Sequence, residues 1–150
     1  MSRLFALFAL LLGTPLLAAA QPLVTPAELS ARLAEPQLRV LAIRDGREDA
    51  GRSPYEVAPR AGSLAAPYSK WRGPKDNPGK LPSEEALTGL VRSLGIDAGT
   101  PVVVVYEGSS ATDFGAAARV YWTLKAAGVA RLSILNGGVK AWRAASLPLV

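Results

Sequence analysis

An α/β domain with a mostly parallel sheet and helices on both faces is predicted by three observations. Strand-like and helix-like segments alternate along the chain from Leu23 onward. The stretch Pro101–Tyr106 carries four consecutive valines, the pattern of a central parallel strand buried on both faces. Helical segments end on glycine, at Gly95 and Gly128, where a left-handed residue closes a helix without steric cost.

Taken in order, the elements have local causes. Thr25-Pro26-Ala27-Glu28 is a capping box with proline at the first helical position, so a helix starts there, with Leu29 and Leu33 on its apolar face. Arg39–Arg44 reads as a strand with an apolar centre. Asp45–Arg60 carries seven charges and reads as a loop or short helix, and Ala61–Ala66 has room for a short strand. Pro67–Pro82 is a long loop rich in proline and glycine. Loops of that length are usually functional or covered by a partner, and Tyr68, Trp71 and Arg72 would be costly to leave idle on its surface. Ser83 caps the next helix, two acids follow it, and Leu87, Leu90, Val91 and Leu94 share one side. After the valine strand, Glu107–Ala111 is a tight loop. Thr112 and Asp113 are expected to cap a long helix reaching Ala127. Leu132–Leu135 is a further strand, Asn136-Gly137-Gly138 a turn, and a last helix over Val139–Ala145 points Trp142 inward.

The first 20 residues have the parts of a secretory signal: Arg3, an apolar run over Leu4–Leu12, and Ala18-Ala19-Ala20 before Gln21. The run is shorter than the roughly 20 residues a spanning helix needs, and Gly13, Thr14 and Pro15 interrupt it. The expected organisation is therefore a cleaved signal over 1–20 and one domain over 21–150, periplasmic or secreted. The sequence shows no internal repeat and no second domain.

Composition excludes several chemistries. The chain has no cysteine and no histidine. Disulfides, thiolate and imidazole metal sites, a lipoprotein anchor and Ser–His or Cys–His nucleophile pairs are all ruled out. No cofactor and no metal are expected. Cleavage of the signal leaves 16 Lys and Arg against 12 Asp and Glu, scattered without a basic run or interleaved aromatics. That pattern gives no support for nucleic-acid binding and allows a mild preference for small anions.

In an open α/β sheet, ligands bind at the carboxyl ends of the strands, and the loop after the most buried strand is the natural place. Here it reads Glu107-Gly108-Ser109-Ser110-Ala111-Thr112. It lacks the Gly-Lys-Ser/Thr of a phosphate-binding loop, and Ser109 and Ser110 have no base to activate them. The candidate binding residues are Glu107, Gly108, Ser109, Ser110 and Thr112, with Arg72 from the long loop. Glu107 either works as a carboxylate, which would need a partner acid or a substrate-holding cation, or accepts backbone N–H bonds at the helix start. The second reading is favoured.

Five segments together carry a resemblance: VLAIR, SKWRGPKDNPGKLP, VVVVY, FGAAARVYWTLKAAG and LSILNGGVKAW. They resemble the rhodanese-like sulfurtransferases, over about Val24–Leu149. The last two segments look like the first domain of tandem thiosulfate or 3-mercaptopyruvate sulfurtransferases. In active domains of that family a cysteine follows the strand that here reads VVVVY, and it carries the transferred sulfur. Glu107 stands in its place. The resemblance implies a non-catalytic domain whose partner is a second, cysteine-bearing rhodanese domain, the two forming a cleft for a small anionic sulfur compound. The chain departs from the family at Ala42, where an aspartate is common, and over Ala58–Ser63, where a histidine is common. Both departures argue against mercaptopyruvate as substrate. The chain stops where the family's first domain ends.

The leading expectation is thus the cysteine-less half of a two-domain sulfurtransferase, inactive alone. The alternative is a stand-alone module holding a partner protein or small anion on the same loop face. A hydrolase using Glu107 with Asp113 is the third and weakest reading.

Overall fold

The computed structural model describes residues 21–44, 59 and 63–149. The signal segment and nearly all of the charged stretch after Arg44 lie outside the described residues, as does most of Ala58–Ser63.

Five strands form one all-parallel sheet in the order β1-β5-β4-β2-β3. They are β1 (Leu23–Val24), β2 (Arg39–Ala42), β3 (Leu64–Ala65), β4 (Val102–Val105) and β5 (Leu132–Leu135). The helices are α1 (Pro26–Arg32), α2 (Glu84–Ser93), α3 (Ala111–Ala126) and α4 (Gly138–Ala144), with a 3-10 turn at Tyr68–Trp71.

The valine strand is the centre of the sheet, as its sequence predicts. All four residues of β4 are buried, and they divide between two cores. Val102 and Val104 pack with the residues of α2, α3 and the 3-10 turn. Val103 and Val105 pack with Leu29 of α1 and Trp142 of α4. Alternate side chains of a strand point to opposite faces, so one four-residue strand nucleates both layers. Fully burying each valine contributes about 1.5–3 kcal/mol.

The capping box forms: the Thr25 hydroxyl accepts from the Glu28 N–H at 3.2 Å, and Glu28 Oε2 accepts from the Thr25 N–H at 2.8 Å. Leu23–Val24 is a strand that the sequence reading did not assign. Two residues are too few to show a period, and β1 exists because its backbone pairs with β5. The expected apolar side of α2 is only partly sunk into the core, with no residue of the helix fully buried. It leaves an open groove of about 670 Å³ lined by Leu87, Val91, Ile96 and Val129 among others. That groove lies beside residues that precede β4 and β5, at the sheet end opposite Glu107.

The long loop is held by the chain itself. Trp71 is fully buried, and its Nε1 donates to the Ala66 carbonyl at 3.0 Å. Arg119 of α3 donates to the carbonyls of Gly79 at 2.8 Å and Lys80 at 2.6 Å.

Candidate functional site

Because every strand is parallel, the carboxyl ends of β2, β4 and β5 meet at one end of the sheet. Glu107 leaves β4 there, and two arginines converge on it. Arg143 Nη1 of α4 donates to Glu107 Oε1 at 3.0 Å. Arg44 Nη1, just past β2, lies 3.1 Å from Oε2. That approach is an ion pair without hydrogen-bond geometry, and Oε2, shut from solvent, accepts no hydrogen bond. The side chain of Glu107 is 26% exposed, a half-sheltered carboxylate between two cations.

The backbone around Glu107 is equally committed. The Val139 N–H donates to the Tyr106 carbonyl at 2.8 Å, and the Lys140 N–H to the Glu107 carbonyl at 2.9 Å. These donors open α4, where N–H groups otherwise lack intrahelical partners. The close approach depends on glycine. Gly108 has φ +86°, and a Cβ there would lie 2.1 Å from the Gly137 carbonyl oxygen. Gly137 and Gly138 have φ of +72° and +62°, so the turn read from Asn136-Gly137-Gly138 uses the left-handed region twice.

The roles of the loop residues differ from expectation in two places. The N-cap of α3 is Ser110, whose hydroxyl accepts from the Asp113 N–H at 3.1 Å, not Thr112 or Asp113. Thr112 lies exposed in the first turn. Backbone N–H groups are indeed gathered by a carboxylate, but it is that of Asp113, not Glu107. Asp113 Oδ2 accepts from Gly108 N–H at 2.7 Å and Ser109 N–H at 3.0 Å, with the Ser109 hydroxyl at 3.3 Å. Asp113 satisfies the loop from inside because it lies one helical turn beyond Ser109 and can fold back on it.

Arg72 is not one of the arginines paired with Glu107. It sits exposed after the 3-10 turn with its guanidinium over the Tyr68 ring, 5.5 Å from the centroid. The sequence reading named Arg44 only as a strand end, took Asp113 for a helix cap or a hydrolase partner of Glu107, and gave Arg143 and Arg119 no part in the site. The parallel register of β2 with β4 is the signal that would have placed Arg44 beside Glu107.

The Tyr106 phenol is pushed up, first by burial and then by the Asp113 charge, although a contact with the Gly137 backbone works against this. Glu107 and Asp113 are engaged by separate partners, so the hydrolase pair does not assemble. Among the described residues no group of three or more Asp or Glu could hold a metal ion. Also among them, no helix is long and apolar enough to cross a membrane.

No protein-family model matches the chain. It is similar to thiosulfate/3-mercaptopyruvate sulfurtransferase 1, mitochondrial, of Arabidopsis thaliana: 32% identical over 136 residues, covering 88% of this chain and 35% of that protein. It is also similar to the thiosulfate sulfurtransferase of Azotobacter vinelandii: 35% identical over 135 residues, 87% of this chain and 45% of that one. In structure it overlays the 3-mercaptopyruvate sulfotransferase SseA of Escherichia coli, which has the rhodanese fold, with a TM-score of 0.66 at 22% identity. The overlay takes in 86% of this chain and 50% of that one. The chain belongs to the rhodanese-like sulfurtransferase family. As a rhodanese-like domain it spans between about a third and a half of the length of these relatives. Of the two departures from the family's pattern, Ala42 ends β2, half-buried, one residue before the buried Ile43 and two before Arg44. In the other segment Pro59 is described, and it is buried.

Proposed function

We propose that this rhodanese-like domain is the non-catalytic N-terminal half of an exported two-domain thiosulfate/3-mercaptopyruvate sulfurtransferase, without sulfurtransferase activity of its own. One observation carries the reading: Glu107 stands where the family's thiol stands, and the donors nearest it are engaged within the chain. Gly108 and Ser109 give their N–H groups to Asp113, Val139 and Lys140 give theirs to Tyr106 and Glu107, and Glu107 draws Arg143 inward. Transfer through a persulfide needs a polarisable thiolate stabilised by free donors. This chain has no thiol, and the two loop N–H groups next to Glu107 are already given to Asp113.

The partner on this reading is a second, cysteine-bearing rhodanese domain, and the ligand of the shared cleft a small anionic sulfur compound. The stand-alone binding module is the weaker reading. The loop that would have waited for a partner is already held by Trp71 and Arg119.

The test is thiocyanate formation from thiosulfate and cyanide by the chain from Gln21 to Val150. Sulfite is the leaving group, and cyanide gains the sulfur. No thiocyanate above buffer is expected, and turnover would overturn the reading. Glu107→Cys supplies the thiol but leaves Asp113 on the loop donors, so it too is expected to show none. Activity in that variant would mean the cradle is usable and the donors are not the obstacle.

A further inference from the structure

The turn Asn136-Gly137-Gly138 after β5 carries a reactive dipeptide. An asparagine side chain can be attacked by the backbone nitrogen of the residue that follows it. The attack is least hindered when that residue is glycine, which has no side chain. Here the fold itself demands the glycine. Gly137 has φ +72°, and a Cβ on it would lie 2.6 Å from the Ala141 Cβ. It makes no such demand for asparagine. Asn136 is exposed and has no left-handed backbone, and its side-chain amide has no hydrogen-bond partner among the described residues.

We propose that Asn136 is a site of spontaneous deamidation in the folded protein, and that the isoaspartate it forms does not fit the turn packed against Glu107 and Gly108. The Gly137 nitrogen attacks Cγ of Asn136 and closes a succinimide ring. The N–Cγ bond forms, the Cγ–Nδ2 bond breaks, and Nδ2 leaves as ammonia with the proton of the Gly137 N–H. Water then opens the ring. Opening at Cγ gives aspartate, and opening at the main-chain carbonyl gives isoaspartate, whose backbone runs through Cβ and Cγ. Nothing is oxidised or reduced, and water is the one co-reactant.

The nucleophile is not locked into a ladder. The Gly137 N–H makes no backbone hydrogen bond, and its contact is with the Tyr106 phenol. The flanks of the dipeptide, by contrast, are pinned. The Asn136 N–H donates to the Val24 carbonyl at 2.8 Å. The Val139 and Lys140 N–H groups hold the Tyr106 and Glu107 carbonyls at 2.8 and 2.9 Å. An extra backbone carbon falls between these pins. There the Gly137 carbonyl oxygen already lies so near Gly108 that a Cβ on Gly108 would meet it at 2.1 Å. Isoaspartate must therefore break one of the pinning bonds or displace the Gly108 backbone, and close packing leaves neither free of cost. Plain aspartate keeps the backbone and adds only an exposed charge. None of this depends on whether the chain transfers sulfur.

The chain from Gln21 to Val150 supplies its own control. Its asparagines are Asn136 and Asn77, and Asn77 precedes Pro78, whose nitrogen has no proton to give up. Cleavage after Arg131 and Lys140 isolates residues 132–140 as one peptide. The folded chain is aged in mildly alkaline buffer beside the same chain in urea, and this peptide is followed by mass and by chromatographic separation of its isomers. The expected result is loss of the parent peptide from the folded chain, a mass shift of O in place of NH, and an isoaspartate isomer among the products. Asn136→Gln, whose ring closure is slower, is expected to keep the parent mass over the same period. Asn136→Asp carries the charge without the added carbon and is expected to melt with the unaged protein, whereas the isoaspartate fraction melts lower. A folded chain that keeps its peptide while the chain in urea loses it overturns the proposal. So does an isoaspartate fraction that melts together with Asn136→Asp.

Discussion

Two loops of this domain are fixed by opposite means. The loop over Glu107–Ser110 is fixed at its centre. The Asp113 carboxylate faces its backbone donors, and glycines let backbone touch backbone. The loop over residues 72–82 is fixed at its margins, by a buried indole at one end and a guanidinium reaching its carbonyls near the other. The first arrangement engages the N–H groups of Gly108 and Ser109 from within, whereas the second leaves a mostly exposed stretch between its anchors. A loop can thus be short, polar and at the ligand-binding end of a sheet and still spend part of its hydrogen-bonding capacity on itself.

Breaking the first loop has the largest expected effect. Gly108→Ala forces a side chain to within 2.1 Å of a backbone oxygen at a φ of +86°. The neighbour is backbone and cannot swing aside, so a loss of more than about 3 kcal/mol is expected. Thermal unfolding should show it as a fall in Tm on the order of 10 °C.

Breaking the second loop is expected to cost less and stay local. Arg119→Ala removes two charge-assisted bonds to the Gly79 and Lys80 carbonyls, a loss of about 1–2 kcal/mol at this half-buried position. Amide exchange should rise over residues 77–80 and remain unchanged at Gly108 and Ser109. Equal loosening of both loops would mean that they are one cooperative unit.

The smallest effect concerns the charge that holds the first loop. Asp113→Asn keeps an acceptor for the loop N–H groups and deletes the charge that helps raise the Tyr106 phenol. The phenol should then ionise at lower pH, seen as tyrosinate absorbance. A phenol raised in the folded state stabilises the fold below its unfolded pKa, and that contribution is lost as pH rises through the folded value. Asp113→Asn should therefore blunt the alkaline loss of stability attributable to Tyr106.

Much of the fold was legible in the sequence because its causes are local. Four valines, a capping box, two glycines in a turn and a tryptophan on a short helix each dictate their own surroundings. The site was less legible. Glu107 could be placed at the strand end, but its partners come from β2 and α4, and only the register of a parallel sheet brings them together. The exchange of roles between Glu107 and Asp113 was invisible for a related reason. Both are acids near a helix start, and which of them turns back onto the loop depends on cations that arrive from elsewhere. Two-residue strands such as β1 have no signature of their own.

That first strand also bears on how the molecule is made. The Ser133 hydroxyl binds the Gln21 carbonyl across 112 residues, and β1 lies on β5 alone. A chain that emerges from its amino end must hold Leu23 and Val24 unpaired until nearly the whole sheet has followed. Loop-closure entropy of that size slows folding. The domain thus completes itself late, and its sheet edge closes only once the last strand has arrived.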